Sequence, residues 1–209
     1  TSAGTSARTA AMSATRRPWR SRRIAAASGE PCKLNLFIWS EYIDPEIVAS
    51  FEKEFACKVT IDLYEDNESM MSKLQGGGTA LYDIVVPGQY LIPVMAKLGL
   101  LAELRHENIP NLANLDEKFV NPVFDPGNKY SIPYVWGTTG LAYNKTCVDA
   151  PITSWKSLFD EKYKGRVYML DNMLAAYIAG LQVNGFSANT SDPAEIEKAT
   201  ETLIAQKPM

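Results

Sequence analysis

The sequence predicts an α/β fold built on doubly wound parallel sheets, and three observations carry that expectation. Short apolar runs alternate with amphipathic helical stretches from Leu34 to Leu98, the order that gives parallel strands joined by helical crossovers. Two helices open on the same Asp-Pro pair, at Asp44-Pro45 and Asp192-Pro193, with aspartate as N-cap and proline at the first helical position. The runs LNLFIW (Leu34 to Trp39) and YDIVV (Tyr82 to Val86) each stop abruptly in a loop that bears an aromatic residue and leads into a helix. In open α/β sheets, ligands bind beyond the carboxyl ends of the strands. Trp39, Ser40, Glu41, Tyr42 and Tyr90 therefore belong to one rim of a cleft. Aromatic faces beside a carboxylate suit an organic cation.

The elements follow in order. Residues 1–32 are rich in Ala, Ser, Thr and Arg and poor in large aliphatics, so they are expected to be leader-like, disordered or loosely helical. SRRIAAA (Ser21 to Ala27) faintly resembles the opening of a twin-arginine signal, but no apolar core follows it. Met12 is a candidate start. Cys32 is a candidate lipid-bearing cysteine, although GEP before it is the wrong context. Leu34 to Trp39 reads as a strand, and Ile47, Val48, Phe51 and Phe55 then lay an apolar stripe along a helix. Lys58 to Tyr64 alternates as a second strand. Asn67 is read as the cap of a short helix carrying Met70, Met71 and Leu74, which the glycines at 76–78 end. Tyr82 to Val86, nearly all apolar, is a strand buried on both faces. Gln89 to Leu98 is a helix closed by Gly99.

Residues 105–129 form a Pro/Asn-rich connection before strand character resumes at Tyr130 to Val135. Trp136 to Thr146 reads as a crossing between lobes, where Gly137 and Gly140 let the backbone bend and Trp136 packs at the hinge. Beyond it, Ser154 to Arg166 is a short helix and turn and Val167 to Leu170 a strand. Asn172 to Val183 and Asp192 to Lys207 are helices. The expected lobes are 33–138 and 139–209. One strand and two helices cannot bury a full core, so the second lobe is expected to be cut short.

Bulk composition excludes several function classes. At 46% hydrophobic and 22% charged, the chain is an ordinary globular one, with no apolar run of membrane-spanning length. Six arginines and no acid lie in residues 1–29, leaving 15 basic against 24 acidic residues beyond them. So acidic a body argues against a nucleic-acid partner. Cys32, Cys57 and Cys147 are far apart and His106 is the only histidine, so no metal site or cofactor is expected. Cys57 reads as a small buried hydrophobe, and one disulfide is possible without a pairing being assignable. No GxSxG, GxGxxG or GxxxxGK[ST] pattern occurs, and no enzyme is expected.

From Leu34 onward the chain resembles the spermidine/putrescine-binding proteins of bacterial ABC importers. The resemblance rests on a collinear set of segments: FIWSEYIDPEIVASFEKE, VTIDLYEDNESMMSKL, YDIVVPGQYLIPVMAKLGLL, NIPNLANLD, YSIPYVWGTTGLAYN, TSWKSLF, YKGRVYMLD and GFSANTSDPAEIEKA. It implies a monomeric, periplasmic two-lobed flytrap that closes around a linear polyamine and delivers it to permease subunits. Rings lie along the methylenes of that ligand and acids at its ammonium ends. Trp39, Ser40, Glu41 and Tyr42 match the first-lobe ligand loop. Tyr90 matches the lobe's second aromatic contact, and Gly88 stands where a serine is common. In the second lobe Asp171 is kept, but Asn172 replaces an aspartate, and Leu174 and Ala175 stand for an arginine and a glutamate. That loss leaves open another small organic solute, such as an amino acid or opine.

Overall fold

The structure, a computed structural model, describes residues 7–14 and 31–207. It contains two compact units, one of Arg8–Trp136 and one that includes Gly137–Met209.

In the first unit the elements are β1 (Ala7–Ala14), β2 (Cys32–Trp39), α1 (Pro45–Phe55), β3 (Cys57–Tyr64), α2 (Asn67–Gln75), β4 (Ile84–Val85), α3 (Ile92–Lys97) and β5 (Ser131–Thr138). Among the described residues, five strands form one sheet in the order β3-β2-β4-β1-β5. β2 pairs in parallel with β3 from Cys32↔Cys57 to Trp39↔Tyr64, and with β4 at Leu36↔Ile84 and Phe37↔Val85. This is the expected parallel alternation. One feature departs from it: β1, within the stretch read as leader-like, runs antiparallel to β4 at Ser13↔Val85 and Ala14↔Ile84. Residues 1–6 and 15–30, with the SRRIAAA segment, lie outside the described residues.

The alternation of β2 explains the core. Phe37 points to one face, where Tyr64, Met70, Leu74, Tyr82, Val85, Ile92 and Met95 pack around it. Leu36 and Ile38 point to the other, against Val86 with Ile43, Ile84 and Tyr134. Each fully buried side chain of this size contributes about 1.5–3 kcal/mol. α1 begins as its sequence requires: Asp44 accepts the Glu46 N–H at 2.8 Å, with Pro45 in the first turn. Its apolar stripe is not covered among the described residues; Ile47 and Phe55 are exposed, and the Phe51 ring lies tilted against Phe55 at 4.7 Å. Glu52 ties the helix to β3 by accepting the Val59 N–H at 2.8 Å.

Three readings are corrected here. The cap of α2 is Asp66, which accepts the Ser69 N–H at 2.6 Å; Asn67 is the first helical residue, and its side chain is used elsewhere. Cys57 is not a lone buried thiol and Cys32 is not free for a lipid, because the two form a disulfide. Their pairing follows from register, since they face each other at the start of two adjacent parallel strands. Val167 to Leu170 does not form a strand. No neighbouring strand among the described residues of its unit supplies ladder hydrogen bonds, which a strand needs to persist.

The connection before β5 is knotted by one buried carboxylate. Asp125 accepts the Ser131 N–H and O–H, both at 2.7 Å, and the Tyr130 N–H at 3.0 Å. In the second unit, α4 (Met173–Val183) packs on α5 (Pro193–Gln206). Gly180 allows the close approach: a Cβ there would stand 3.1 Å from Leu203 and 3.2 Å from the Ala199 carbonyl. Hydrogen bonds from Tyr177 to Thr200 (3.0 Å) and Asn184 to Thr202 (2.9 Å) pin the pair.

Candidate functional site

The first-lobe residues converge at the carboxyl ends of β2, β3 and β4. Trp39 closes β2 and Tyr64 closes β3, and because these strands are paired in register, their rings meet at 4.7 Å. Tyr42 lies 6.1 Å from Trp39 on the outer side, and Phe37 lies 4.9 Å from Tyr64 on the inner side. Phe37 in turn stacks on Tyr82 at 4.4 Å. A continuous aromatic row thus runs from the exposed Tyr42 through Trp39 into the core. At its inner end the Lys73 ammonium sits 5.0 Å from the Phe37 ring and bonds Asp62 at 2.7 Å. The Lys73 ammonium first, then the Tyr82 hydroxyl, hold the Asp62 carboxyl below its usual range.

The loop after β2 has special geometry. Glu41 adopts φ 62°, a left-handed conformation that non-glycine residues rarely take. Its neighbour Ser40 donates to Glu65 at 2.6 Å, bringing a second carboxylate to the rim. The Tyr134 hydroxyl, from β5, donates to the Tyr42 carbonyl at 2.7 Å and fixes the far side of the loop. Tyr64 is buried, and burial, with Tyr42 and Tyr90 nearby, pushes its phenol well above the ordinary range. It stays protonated and donates to the Val86 carbonyl, joining the ends of β3 and β4.

Gly88 and Tyr90 follow β4 directly. Asn67 bridges them: its Oδ1 accepts the Gly88 N–H at 3.3 Å and its Nδ2 donates to the Tyr90 hydroxyl at 2.6 Å. Of the predicted first-lobe residues, Trp39, Ser40, Glu41 and Tyr42 share one loop, and Gly88 and Tyr90 share a second; Tyr64 and Asn67 join the two. Tyr64, Glu65 and Asn67 were not read as site residues from sequence, Asn67 having been taken for a helix cap. The rule that located Trp39 applies equally to the residues just after β3, so the signal was present.

In the second unit, Asp171 is exposed and Asn172 caps α4, accepting the Ala175 N–H at 3.0 Å. Trp136, read as a hinge residue, packs 6.0 Å from Phe119 with the Lys118 ammonium 4.8 Å from its ring. A cavity of about 440 Å³ also lies in the second unit, lined by Leu141, Tyr143, Leu158, Tyr163 and Arg166 among others. Its lining holds an arginine and no carboxylate, which makes it a poor place for a cation. Among the described residues, no group of three His, Cys, Asp or Glu side chains could hold a metal ion. No helix there is long and apolar enough to cross a membrane.

Comparison with known proteins shows the family and the fold. Residues 46–208 match the family described as bacterial extracellular solute-binding proteins. The spermidine/putrescine-binding periplasmic protein of Escherichia coli (strain K12) is 38% identical over 180 residues, covering 86% of this chain and 52% of that protein. The putrescine/cadaverine-binding protein of Pseudomonas aeruginosa is 36% identical, with 84% and 51% covered. The crystal structure of the spermidine/putrescine ABC transporter substrate-binding protein PotD from Streptococcus pneumoniae superposes with a TM-score of 0.67. It is 37% identical, with 85% of this chain and 55% of that one covered. The chain spans about half the length of the curated relatives it matches. Its fold is that of the periplasmic solute-binding proteins, and the chain belongs to the family of bacterial extracellular solute-binding proteins.

Proposed function

We propose that this protein captures a polyamine, spermidine or putrescine, outside the cytoplasm and delivers it to the permease of an ABC importer, without chemistry on the ligand. One observation carries the reading: the Tyr42–Trp39–Tyr64 aromatic row opens beside Glu41 and Glu65 at the carboxyl ends of parallel strands. A polyamine needs both surfaces. Each ammonium taken from water costs several kcal/mol unless paired, and each ring face returns about 0.5–2 kcal/mol. Trp39, Ser40, Glu41, Tyr42, Gly88 and Tyr90 form the first-lobe half of the site, and Asp171 and Asn172 contribute from the second lobe. The lobes are 33–138 and 139–209, and the protein works as a monomer in the periplasm. The names of the relatives support the ligand, and the Cys32–Cys57 disulfide supports an oxidising compartment.

A second reading keeps the site and changes the solute. Asn172 spends its side-chain oxygen on capping α4, and Leu174 and Ala175 bring no charge. The stretch from Asp171 to Ala175 therefore offers fewer acids than a polyamine asks, and an amino acid or opine fits it better on that count. Tryptophan fluorescence of the full chain, titrated with putrescine, spermidine and a panel of amino acids, separates the two. Saturable quenching by a polyamine supports the first reading. A response confined to another solute supports the second.

A further inference from the structure

Asn67 is 3% exposed, and its side-chain amide is turned to Gly88 and Tyr90 rather than to the helix it begins. A buried amide left without partners costs about 1–3 kcal/mol, so its orientation is dictated by what it faces. The Gly88 N–H can only donate, so Oδ1 must be the atom turned toward it. Nδ2 is then turned to the Tyr90 oxygen, which accepts at 2.6 Å. Flipping the amide would set donor against donor at Gly88. The phenolic proton of Tyr90 is thereby directed away from Asn67.

Gly88 completes the arrangement. Its φ of -61° is open to any residue, so backbone freedom does not explain the glycine. Space does: a Cβ there would stand 2.8 Å from Tyr90 Cε1, 3.2 Å from Cδ1 and 3.3 Å from Asn67 Nδ2. The ring of Tyr90 lies down on the place a side chain would occupy, and Asn67 holds its hydroxyl there.

We propose that Asn67 is a positioning residue that clamps the Tyr90 ring onto Gly88 and so fixes the orientation of an aromatic wall of the ligand site. The role in ligand binding rests on the solute-capture reading above; the clamp itself does not. A serine at 88 cannot coexist with the clamped ring, so Gly88 and Asn67 together set a ring orientation that a serine-bearing relative would have to reach differently.

The test uses the full chain with Asn67→Ala, Tyr90→Phe and the double variant. The ligand-free readout is the nuclear magnetic resonance shift of the Gly88 α-proton that points where a Cβ would stand. The ring current displaces it in the wild type. Asn67→Ala and Tyr90→Phe are each expected to remove much of that displacement, as is Gly88→Ser to shift the Tyr90 ring resonances. Tyr90→Phe deletes only the hydroxyl and is expected to fold, so the readout survives if Asn67→Ala does not. An unchanged α-proton in both single variants overturns the clamp, even if their unfolding midpoints fall, because a merely structural asparagine would lower stability alone. Putrescine titration then gives the functional arm. Each single variant is expected to weaken binding about tenfold, and the double variant no further; additive losses overturn the positioning role. A wild type that answers neither putrescine nor spermidine sinks the polyamine reading, while the α-proton still decides the role of Asn67.

Discussion

Trp39 stands at the centre of the aromatic row, touching Tyr42 on one side and Tyr64 on the other. Trp39→Ala is expected to weaken polyamine binding about 5- to 30-fold, the loss of about 1–2 kcal/mol of ring contact, read by calorimetric titration. Tyr64 makes a different prediction. Its phenol is held protonated in the fold by burial, whereas in the unfolded chain it ionises near pH 10. The unfolded state therefore binds fewer protons above that pH, and stability falls as pH rises. Urea unfolding between pH 9 and about 11 should show that slope, and Tyr64→Phe should flatten it. A slope unchanged by the substitution would place the alkaline loss elsewhere. At this scale the sequence was informative wherever a loop followed a strand, as at Trp39 and Tyr90. It was silent on Asn67, because a helical asparagine next to Asp66 reads as a cap until Gly88 and Tyr90 are brought within 3.3 Å of it.

Among the elements, the pairing of β2 with β3 does most to build the site, since register alone sets Trp39 beside Tyr64. At the other end of the same pair the Cys32–Cys57 bridge closes a separation of 25 residues. Removing it by Cys32→Ser is expected to cost about 2–4 kcal/mol, visible as a lower urea midpoint under non-reducing conditions, with no effect of reductant on the variant. β1 supports the opposite side of the sheet, because β5 neighbours it and not β4 in the strand order. Deleting residues 7–14 should lower hydrogen-exchange protection across Ser131–Thr138. β2–β3 amides should change little; a uniform loss across the whole sheet would instead mean that β1 stabilises the fold globally. Residues 7–14 were illegible as a strand because ARTAAMSA lacks apolar alternation and has Thr9 as its single β-branched residue. Only a gap between two built strands gives such a segment its conformation.

In the molecule as a whole, both units leave apolar side chains open to solvent, Val123 and the α1 stripe among them in the first. In the second, Tyr168 is 90% exposed, with Leu170 and Met173 also largely open. Such a surface is an association liability. The native full chain is expected to bind a hydrophobic dye at neutral pH and to self-associate with rising concentration, and Tyr168→Ser with Leu170→Ser should reduce both. Dye binding untouched by these changes would assign the exposed surface to another region, such as α1. By itself, the sequence determined the α/β alternation, the Asp-Pro helix starts and the loops that carry Trp39, Tyr42 and Tyr90. Those features depend on hydrophobic period, capping chemistry and local turns, which are written within a few residues. The tertiary structure alone decided the Cys32–Cys57 partnership, the insertion of β1, the absence of a strand at Val167–Leu170 and the contacts of Asn67 with Gly88 and Tyr90. Each depends on which distant backbone lies alongside, and that is fixed by strand register and by the free energy of burial summed over the whole unit.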